Sequence, residues 1–512
     1  MSIYDPESDL SFGRRLTALA VERPNDVAIY EFGTERRSIT WRELDRASNR
    51  VARSMSRFKI EVNSLVAIGL PNSIEHIVST FAAWKVGACV LPLNPRMPAR
   101  EQARVLDLAK PQLCVADWKL DVPRVSLDEL RIAMVAPGIS AEILPDVIPP
   151  RARAIMSGGS TGDPKLIMLT QPGRLGSNHS ERANSSYVGG SGTGLIPGPF
   201  YHSAPFTVGH TWMLNGLTLA IMTKFVAEDV LSIVERLGVE YLLAVPTMLI
   251  RMVRSPQFDE TDLSSIRCLL IGAAAVPDWL MNRMIEVLGP TNVLLGYGAA
   301  ERQGFTQIRG DEWLDRPGSV GKGRDTDIRI LGADGQAVPE GEVGEVFLRT
   351  RPPQQTFEYI GAPGPVVTDD GFVATGDLGR VDSEGYLFLA DRVRDEIKSG
   401  GVAVFPAMVE AALLEHPSVV DAAVIGLPDD DWGQRVHAIV QLEHAARLSQ
   451  DELREFVGQR LSAPNVPKSF EVIGVLPRTE AGKLNRQALV RERVRSNSGH
   501  PSTHDTEWGV SL

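Results

Sequence analysis

Short apolar runs alternate with amphipathic helical patterns along the first half of the chain. The pattern predicts, in chain order, a helix over 39–58, a strand over 64–70, a helix over 73–88, a strand over 89–93, a helix followed by a strand over 230–245 and a strand within 266–276. Helices that alternate with buried strands favour α/β units built around mostly parallel sheets.

The pattern changes after about residue 320. Turn dipeptides between alternating apolar and polar residues over 323–350 predict a small antiparallel β region, and the last hundred residues return to helix and strand patterns. We therefore expect an α/β protein with a large N-terminal domain over 1–391, made of mostly parallel sheets with helices and a small β region, and a small α+β domain over 392–492. The polar tail over 493–512 is predicted to be disordered.

Composition and charge narrow the class of protein. The 512 residues are 43% hydrophobic and 23% charged, as in an ordinary globular protein. The net charge is −11, because 64 acidic side chains outnumber 53 Lys and Arg, so sequence-independent nucleic-acid binding is not expected. Three widely spaced cysteines predict neither a disulfide framework nor a zinc site, and each is expected to be a small buried side chain.

Targeting signals are not evident in the sequence. The first fifteen residues are polar and charged, unlike a secretory signal peptide. Residues 183–223 contain no Asp, Glu, Lys or Arg, but Gly, Pro, Ser and His interrupt them repeatedly, which argues against a membrane span. A cytoplasmic enzyme is the expectation.

A loop of small and hydroxylated residues over 157–165 is the most informative segment. Small residues let backbone N–H groups approach an anion closely, hydroxyls add donors, and a lysine just beyond can neutralise phosphate charge. Asp163 and Pro164 separate the last glycine from the lysine, so the segment is not a Walker A loop. The candidate phosphate contacts are Ser157, Gly158, Gly159, Ser160, Thr161, Gly162 and Lys165.

Four segments together resemble the motifs of one family. They are SGGSTGDPK at 157–165, GYGAAE at 296–301, the stretch 375–401 that begins Thr-Gly-Asp, and PRTEAGKLNR at 477–486. In this order they are similar to the motifs of the adenylate-forming superfamily, which includes acyl-CoA synthetases, the adenylation domains of peptide synthetases and luciferases. The resemblance covers roughly residues 10–490 and is strongest to fatty-acid and bile-acid CoA ligases.

The resemblance implies roles for individual residues. In this family a carboxylate attacks the α-phosphate of ATP and pyrophosphate leaves, so Mg²⁺ and positive side chains must offset the repulsion between anions. By resemblance, Glu301 would bind Mg²⁺ and Lys483 would reach the α-phosphate and the carboxylate. Further nucleotide contacts would come from Gly272, Ala273, Ala274, Gly296, Tyr297, Gly298, Ala299, Ala300, Asp377, Arg392 and Lys398.

The resemblance also implies that the small C-terminal α+β domain is mobile. Lys483 belongs to the predicted C-terminal domain and the phosphate loop to the N-terminal one, so the site would be complete only after closure. Attack by a thiol on the acyl-adenylate would then require Lys483 to leave. The family pattern assigns the hinge to Arg394 and turns residues 399–401 toward the nucleotide in the thioester-forming state.

The acid-binding pocket is expected in segment 197–212, where the family has an aromatic acid-binding motif. The lack of charge around it suits an apolar or aromatic acid. Candidate lining residues are Tyr201, His202, Phe206, His210 and Trp212, with His202 as the candidate catalytic contact.

The expected activity is an ATP-dependent acid–thiol ligase that uses ATP, Mg²⁺ and CoA and makes an acyl-CoA through an acyl-adenylate. Three alternatives stay open: loading of a carrier protein, ATP-dependent activation of nitrite to diazotise an aromatic amine, and a non-catalytic nucleotide-binding or partner-binding protein. One departure bears on the first step, because Ala300 stands where the family usually has a Thr whose hydroxyl contacts the phosphate or metal.

Overall fold

The structure is a computed structural model that describes residues 10–119, 122–158, 164–175, 188–393, 395–443, 446–478 and 484–497. It contains two compact units. The first comprises 1–273, 282–329 and 347–375, and the second comprises 274–281, 330–346 and 376–512. The predicted domain boundary after Asp391 stays a prediction.

Capped amphipathic segments form the helices of the first unit. Thr40 caps its helix in a capping box with Glu43, and Ser73 caps the next, so the helices predicted over 39–58 and 73–88 are confirmed. The α-helices are Phe12–Glu22, Trp41–Met55, Ile74–Lys85, Ala99–Ala109, Leu127–Val135, Ser203–Leu214, Ala227–Leu237, Pro246–Val253 and Gly310–Asp315. Short 3₁₀ turns are Ser56–Phe58, Phe258–Glu260 and Pro290–Asn292.

The largest sheet of the first unit is parallel at its centre. From one edge inward its strands are Arg36–Thr40, Val27–Phe32, Thr218–Met222, Thr193–Ile196, Tyr241–Ala244, Cys268–Ile271, Val293–Gly298, Phe305–Arg309 and Ser319–Gly323. The pairs from 27–32 to 293–298 are parallel, and antiparallel strands flank them. The central strands are short and buried, as the apolar runs predict.

Two smaller sheets complete the first unit. One is parallel throughout, with its strands in the order Cys89–Pro92, Leu65–Gly69, Leu113–Ala116 and Arg124–Val125. The other is antiparallel, in the order Ala154–Gly158, Pro164–Leu169 and Phe357–Ile360. The mixed α/β fold expected from the sequence is therefore confirmed.

Some elements contribute residues to both units. They are the helix Asp278–Leu288 and the strands Thr326–Leu331, Gly344–Thr350 and Val373–Val381. The predicted β region over 323–350 thus contains strands.

The second unit is a small α+β body with its own core. Its strands are Leu387–Arg392, Ile397–Ser399, Val402–Val404, Val419–Asp429, Gly433–Leu442 and Ser469–Ile473, and its helices are Pro406–Leu414, Gln450–Gly458 and Arg486–Asn497, with a 3₁₀ turn at Ala463–Asn465. Fully buried Val409, Leu413, Val424 and Val440 join its helices to its sheet.

The three cysteines are buried and free, as expected. Burial raises the pKa of each thiol, of Cys89, Cys114 and Cys268, to about 12, which makes them inert apolar side chains rather than nucleophiles. Over the described part of the chain, no helix combines the length and the apolar character that crossing a bilayer requires.

Candidate active site

The parallel strands of the main sheet bring several predicted site segments to one edge. Parallel strands end at the same edge of a sheet, where α/β proteins bind their ligands. Strand 193–196 leads into the loop before His202, strand 268–271 leads into Gly272, and strand 293–298 carries the GYGAAE segment. The topology therefore gathers segments that are far apart in the sequence.

Gly272 directly follows strand 268–271, Gly296 lies in the adjacent parallel strand 293–298, and both glycines allow a close approach of neighbouring atoms. A Cβ on Gly272 would lie 3.1 Å from the carbonyl oxygen of Gly296, and one on Gly296 would lie 2.8 Å from the ring of Phe305. Ala273 follows with φ of 72°, in the left-handed region that non-glycine residues rarely adopt. Backbone strain of this kind collects at functional sites.

Lys165 and Glu301 meet at one tyrosine. The Lys165 ammonium lies 3.5 Å from Glu301 Oε1 and donates a 2.8 Å hydrogen bond to the Tyr359 hydroxyl, which itself donates to Glu301 Oε1. Thr356 fixes the backbone of Glu301 by donating to its carbonyl oxygen at 2.8 Å. The phosphate-loop lysine and the carboxylate of GYGAAE therefore form one cluster.

Sheet register explains why these side chains meet. Strand 357–360 pairs antiparallel with strand 164–169, and Tyr359 lies opposite Ile167. Lys165, two residues from Ile167, shares its face of the sheet and lies diagonally across from Tyr359. Burial and the charge of Glu301 both raise the pKa of Tyr359, so its hydroxyl keeps its proton and can donate.

The carboxylate of Glu301 fits a magnesium ligand. Its hydrogen bond and its ion pair with described residues both use Oε1, which leaves Oε2 open to a cation. No group of three or more acidic, His or Cys side chains among the described residues could hold a metal. Mg²⁺ typically takes one or two protein carboxylates and completes its shell with phosphates and water.

Only part of the phosphate loop and only the two ends of the lysine motif are described. Ser157 and Gly158 end strand 154–158, and their backbones pair with Lys165 and Pro164. The candidates Gly159, Ser160, Thr161 and Gly162 lie outside the described residues, as do Lys483 and the hinge residue Arg394.

The second unit brings two of its nucleotide candidates together. Asp377 lies opposite Arg392 in the antiparallel pair formed by 373–381 and 387–392, and the Arg392 Nε is 3.3 Å from the Asp377 carboxylate. Half of the Arg392 side chain is exposed, so it can also reach a ligand. Lys398 lies on an exposed position of strand 397–399. Ala274 also falls in the second unit.

The two residues of the GYGAAE segment that precede Glu301 are apolar. Tyr297 lies on strand 293–298, and Ala299 and Ala300 follow the exposed Gly298 at its end. Ala300 packs against a cluster of Ile155, Ile167, Leu169 and Phe357. Its methyl group contributes apolar contact where the family's usual Thr would offer a hydroxyl.

The proposed acid-binding segment divides between a loop and the core. His202 is half-buried and precedes the helix Ser203–Leu214, beside the ring of Tyr201, whose pKa burial raises to about 12. Phe206 and His210 line a small cavity, whereas Trp212 is fully buried beneath Gly194. Asn72 holds the loop through hydrogen bonds to Gly198 and Phe200 of 2.8 Å each.

Three residues at or near this site escaped the sequence analysis. Tyr359 belongs to none of the four motifs. Strand pairing places it at the site, so its role can be found only from three-dimensional contacts. Arg302 follows Glu301 directly, and its guanidinium reaches Thr207, as does that of Arg153. Arg302 could have been noticed in the sequence because it follows a predicted metal ligand. Nothing in the sequence indicated that its side chain is buried.

Comparison with known proteins shows the family of the chain. Residues 16–357 match the AMP-binding enzyme family, and residues 408–483 match the AMP-binding enzyme C-terminal domain. A feruloyl-CoA synthase from Amycolatopsis sp is 32% identical over 90% of this chain and 94% of its own. The long-chain-fatty-acid–CoA ligase FadD13 of Mycobacterium tuberculosis is 30% identical over 94% of this chain and 98% of its own.

Solved structures show the same fold. The o-succinylbenzoate-CoA synthetase MenE of Bacillus subtilis, bound to its acyl-adenylate intermediate, superposes with a TM-score of 0.80 at 27% identity, covering 93% of this chain and 97% of its own. The same synthetase bound to ATP and a magnesium ion gives a TM-score of 0.78 at 27% identity, covering 93% and 98%. These matches define an adenylate-forming enzyme. The chain belongs to the AMP-binding enzyme family and is an AMP-forming ligase of the acyl-CoA synthetase type.

Proposed function

We propose that the protein activates an apolar or aromatic carboxylic acid with ATP and transfers the acyl group to CoA. The observation that carries this proposal is the convergence of Lys165 and Glu301 on Tyr359. The Lys165 ammonium and the Glu301 carboxylate come from two separate motifs and lie close enough to act on the same ligand. An enzyme that binds a magnesium-complexed triphosphate requires such a pair. Relatives named for ferulate, o-succinylbenzoate and long-chain fatty acids support this class of acid.

The reaction has two steps. A carboxylate oxygen of the acid first bonds to the α-phosphorus of ATP, and the bond from that phosphorus to the bridging oxygen breaks, which releases pyrophosphate. The thiol sulfur of CoA, having lost its proton, then bonds to the acyl carbon, and AMP leaves with the electron pair of the broken C–O bond. Both steps separate or displace anions, so positive charge in the site lowers their barriers.

Each site residue has a task in this scheme. Lys165 would offset charge on the phosphates. Tyr359 would hold the side chains of Lys165 and Glu301 in position through its hydroxyl, and Glu301 would bind Mg²⁺ through Oε2. The ion, when bound, supplies charge neutralisation at the phosphates. Asp377 would accept hydrogen bonds from the ribose hydroxyls, beside Arg392. His202 would contact the reacting carboxylate from the loop before helix 203–214.

Acid-dependent exchange of labelled pyrophosphate into ATP tests the first step. We expect exchange with at least one member of a panel that includes ferulate, o-succinylbenzoate and fatty acids of eight to sixteen carbons. Mass spectrometry of the product with CoA, with a phosphopantetheine-bearing carrier protein, or with nitrite and an aryl amine then identifies the acceptor. Failure of every acid, organic or inorganic, to release AMP would contradict the proposal.

A further inference from the structure

The Thr207 hydroxyl connects three segments of the first unit and has no part in the two reaction steps described above. It donates to the carbonyl oxygen of Ser203 at 2.7 Å and accepts from Arg153 Nη1 at 2.5 Å and from Arg302 Nη2 at 2.8 Å. A hydroxyl has one proton to donate and two lone pairs with which to accept. All three are used here, so this single hydroxyl fixes three other groups relative to one another.

The groups that meet at Thr207 come from separate parts of the candidate site. Arg153 directly precedes the strand that leads into the phosphate loop, and Arg302 directly follows Glu301. Thr207 itself lies near the start of the helix that begins after His202. One hydroxyl therefore links the base of the phosphate loop, the proposed magnesium ligand and the candidate acid contact.

The backbone beside Glu301 has a strained conformation that the Arg302 side chain helps to hold. Arg302 has φ of 57°, in the left-handed region that non-glycine residues rarely adopt, and its N–H donates to the Ala299 carbonyl oxygen at 3.1 Å. Arg302 is only 8% exposed, and with Thr207 it lines the small cavity near Glu301. Strained backbone persists only where its surroundings fix it. The hydrogen bond to Thr207 is one of the contacts that fix this turn.

The start of the helix that follows His202 is held by the same hydroxyl. Arg153, only 3% exposed, donates to the Ser203 carbonyl oxygen at 3.1 Å as well as to Thr207. Its guanidinium carbon also lies 5.1 Å from the centre of the Phe206 ring. Hydrogen bonds from a charged donor are stronger than those between neutral groups. Because Ser203 is the residue after His202, these bonds fix the backbone that carries His202.

We propose that Thr207 is a positioning residue of the adenylation step, and that its hydroxyl sets the position of the Glu301 turn relative to the His202 loop. The inference rests on the proposed function, in which Glu301 binds Mg²⁺ beside ATP and His202 contacts the acid. The attacking carboxylate oxygen and the α-phosphorus then belong to two molecules that the protein must align, and a small misplacement slows such a reaction strongly. In the second step the acyl group and the phosphate are already joined in one molecule, so this alignment is no longer needed.

Steady-state kinetics of the full-length protein tests the role of Thr207. Thr207→Val removes the hydroxyl and keeps the shape of the side chain, whereas Thr207→Ser keeps the hydroxyl. With an acid that the wild type activates, kcat for pyrophosphate exchange should fall about tenfold or more in Thr207→Val, because the reactants are misaligned. KM for ATP and for the acid should stay close to the wild-type values. Thr207→Ser should restore the exchange rate.

Thioester formation from synthetic acyl-adenylate and CoA separates positioning from general structural damage. This second step should proceed in Thr207→Val as it does in the wild type. Thr211→Val is the matched control, because Thr211 lies one turn further along the same helix, is 4% exposed and takes no part in these hydrogen bonds. Its rates should match the wild type in both steps. Thr207→Ala leaves room for water to reach both guanidinium groups, so it should fold even if Thr207→Val does not, and its loss should also fall on exchange alone.

Two results would overturn the role of Thr207. One is an equal loss of exchange and of thioester formation in a folded variant that lacks the hydroxyl. The other is a wild-type rate of exchange in every such variant, which would leave the proposed function standing. A wild-type protein that exchanges pyrophosphate with no acid would instead contradict the proposed function, and this inference would fall with it.

Discussion

Tyr359 shows how one residue can join two motifs. The sequence predicted Lys165 and Glu301 separately, because each belongs to a recognisable segment, and the structure brings them together. It could not predict Tyr359, whose role follows from pairing between strands 164–169 and 357–360. Motifs record which residues chemistry needs, whereas the groups that position them depend on tertiary contacts that leave little local pattern.

Removing the Tyr359 hydroxyl should weaken nucleotide binding without unfolding the protein. In Tyr359→Phe the ring still packs against Phe357 and Ile167, so stability should change little. Lys165 and Glu301 lose their shared partner, and a hydrogen bond to a charged group is worth about 1.5–3 kcal/mol. We expect KM for ATP to rise about tenfold or more in the exchange assay, with kcat less affected.

The matched control for this change is Glu358→Gln, one position along the same strand, where the side chain pairs with Arg151 at the surface. Its KM for ATP should equal that of the wild type. A Tyr359→Phe enzyme with unchanged KM would show that the hydroxyl does not organise the site.

Helices 74–85 and 203–214 are held together by aromatic contacts that include two buried histidines. His76 packs against Phe200 and Phe206, and both of its ring nitrogens lack partners among the described residues. The helices themselves were predictable from capping residues and apolar spacing. The histidine contacts were not, because the helical pattern over 73–88 does not say which element covers it.

These histidines should make stability sensitive to acid. Burial lowers the pKa of His76 to about 3 and that of His210 to about 4. The unfolded chain therefore binds more protons than the folded protein as pH falls from about 6.5 toward 4, and stability falls over that window. His76→Leu removes one of these protonation sites. Over that window the unfolding free energy of the variant should therefore fall less steeply than that of the wild type, by about 1.4 kcal/mol per pH unit.

Chemical denaturation at several pH values checks this prediction. At pH 7.5 the pH dependence of wild type and His76→Leu should coincide, because the histidine is neutral in both folded and unfolded chains. An identical slope for the two proteins between pH 6 and 4.5 would mean that His76 is not buried in its neutral form.

In the second unit, Arg486 anchors the last helix. It donates to both carboxylate oxygens of Glu410, at 2.8 and 2.7 Å, and to Asp395 at 3.1 Å. Arg486→Met would leave Glu410 buried without its cation, and breaking such a pair costs about 3–5 kcal/mol. We expect the unit's free energy of unfolding to fall by that amount, so that its unfolding transition occurs at a lower denaturant concentration.

The exposed pair of Arg454 with Asp451 provides the comparison, since Arg454→Met should cost under about 1 kcal/mol. Equal effects of the two changes, measured by urea unfolding, would show that the Arg486 network is no more than a surface pair.

For the whole molecule, the sequence predicted the fold class and the family, because four motifs in order and an α/β alternation span most of the chain. It could not predict the cavity near Glu301. The polar residues of that cavity come from distant segments, and each is ordinary by itself. The identity of the acid substrate could not be predicted for the same reason, because the shape of a pocket depends on packing between distant segments.

One prediction concerns the complete chain and the roles of Lys483 in the two reaction steps. Lys483 is proposed to act only in adenylation, so Lys483→Ala should lower acid-dependent exchange by about a hundredfold or more. Thioester formation from a supplied acyl-adenylate should stay within a few-fold of the wild type. A stopped assay with synthetic acyl-adenylate and CoA measures the second step, and equal losses in both steps would refute the division.

The most direct test of the ligase account compares pyrophosphate exchange in wild type, Lys165→Met and Glu301→Gln, with an activating acid and a series of Mg²⁺ concentrations. We predict robust acid-dependent exchange in the wild type. Glu301→Gln should lose about 10- to 100-fold, from an interaction worth about 1.5–3 kcal/mol, and raise the Mg²⁺ requirement, whereas Lys165→Met should mainly raise KM for ATP. Exchange that persists unchanged in both variants would contradict the account.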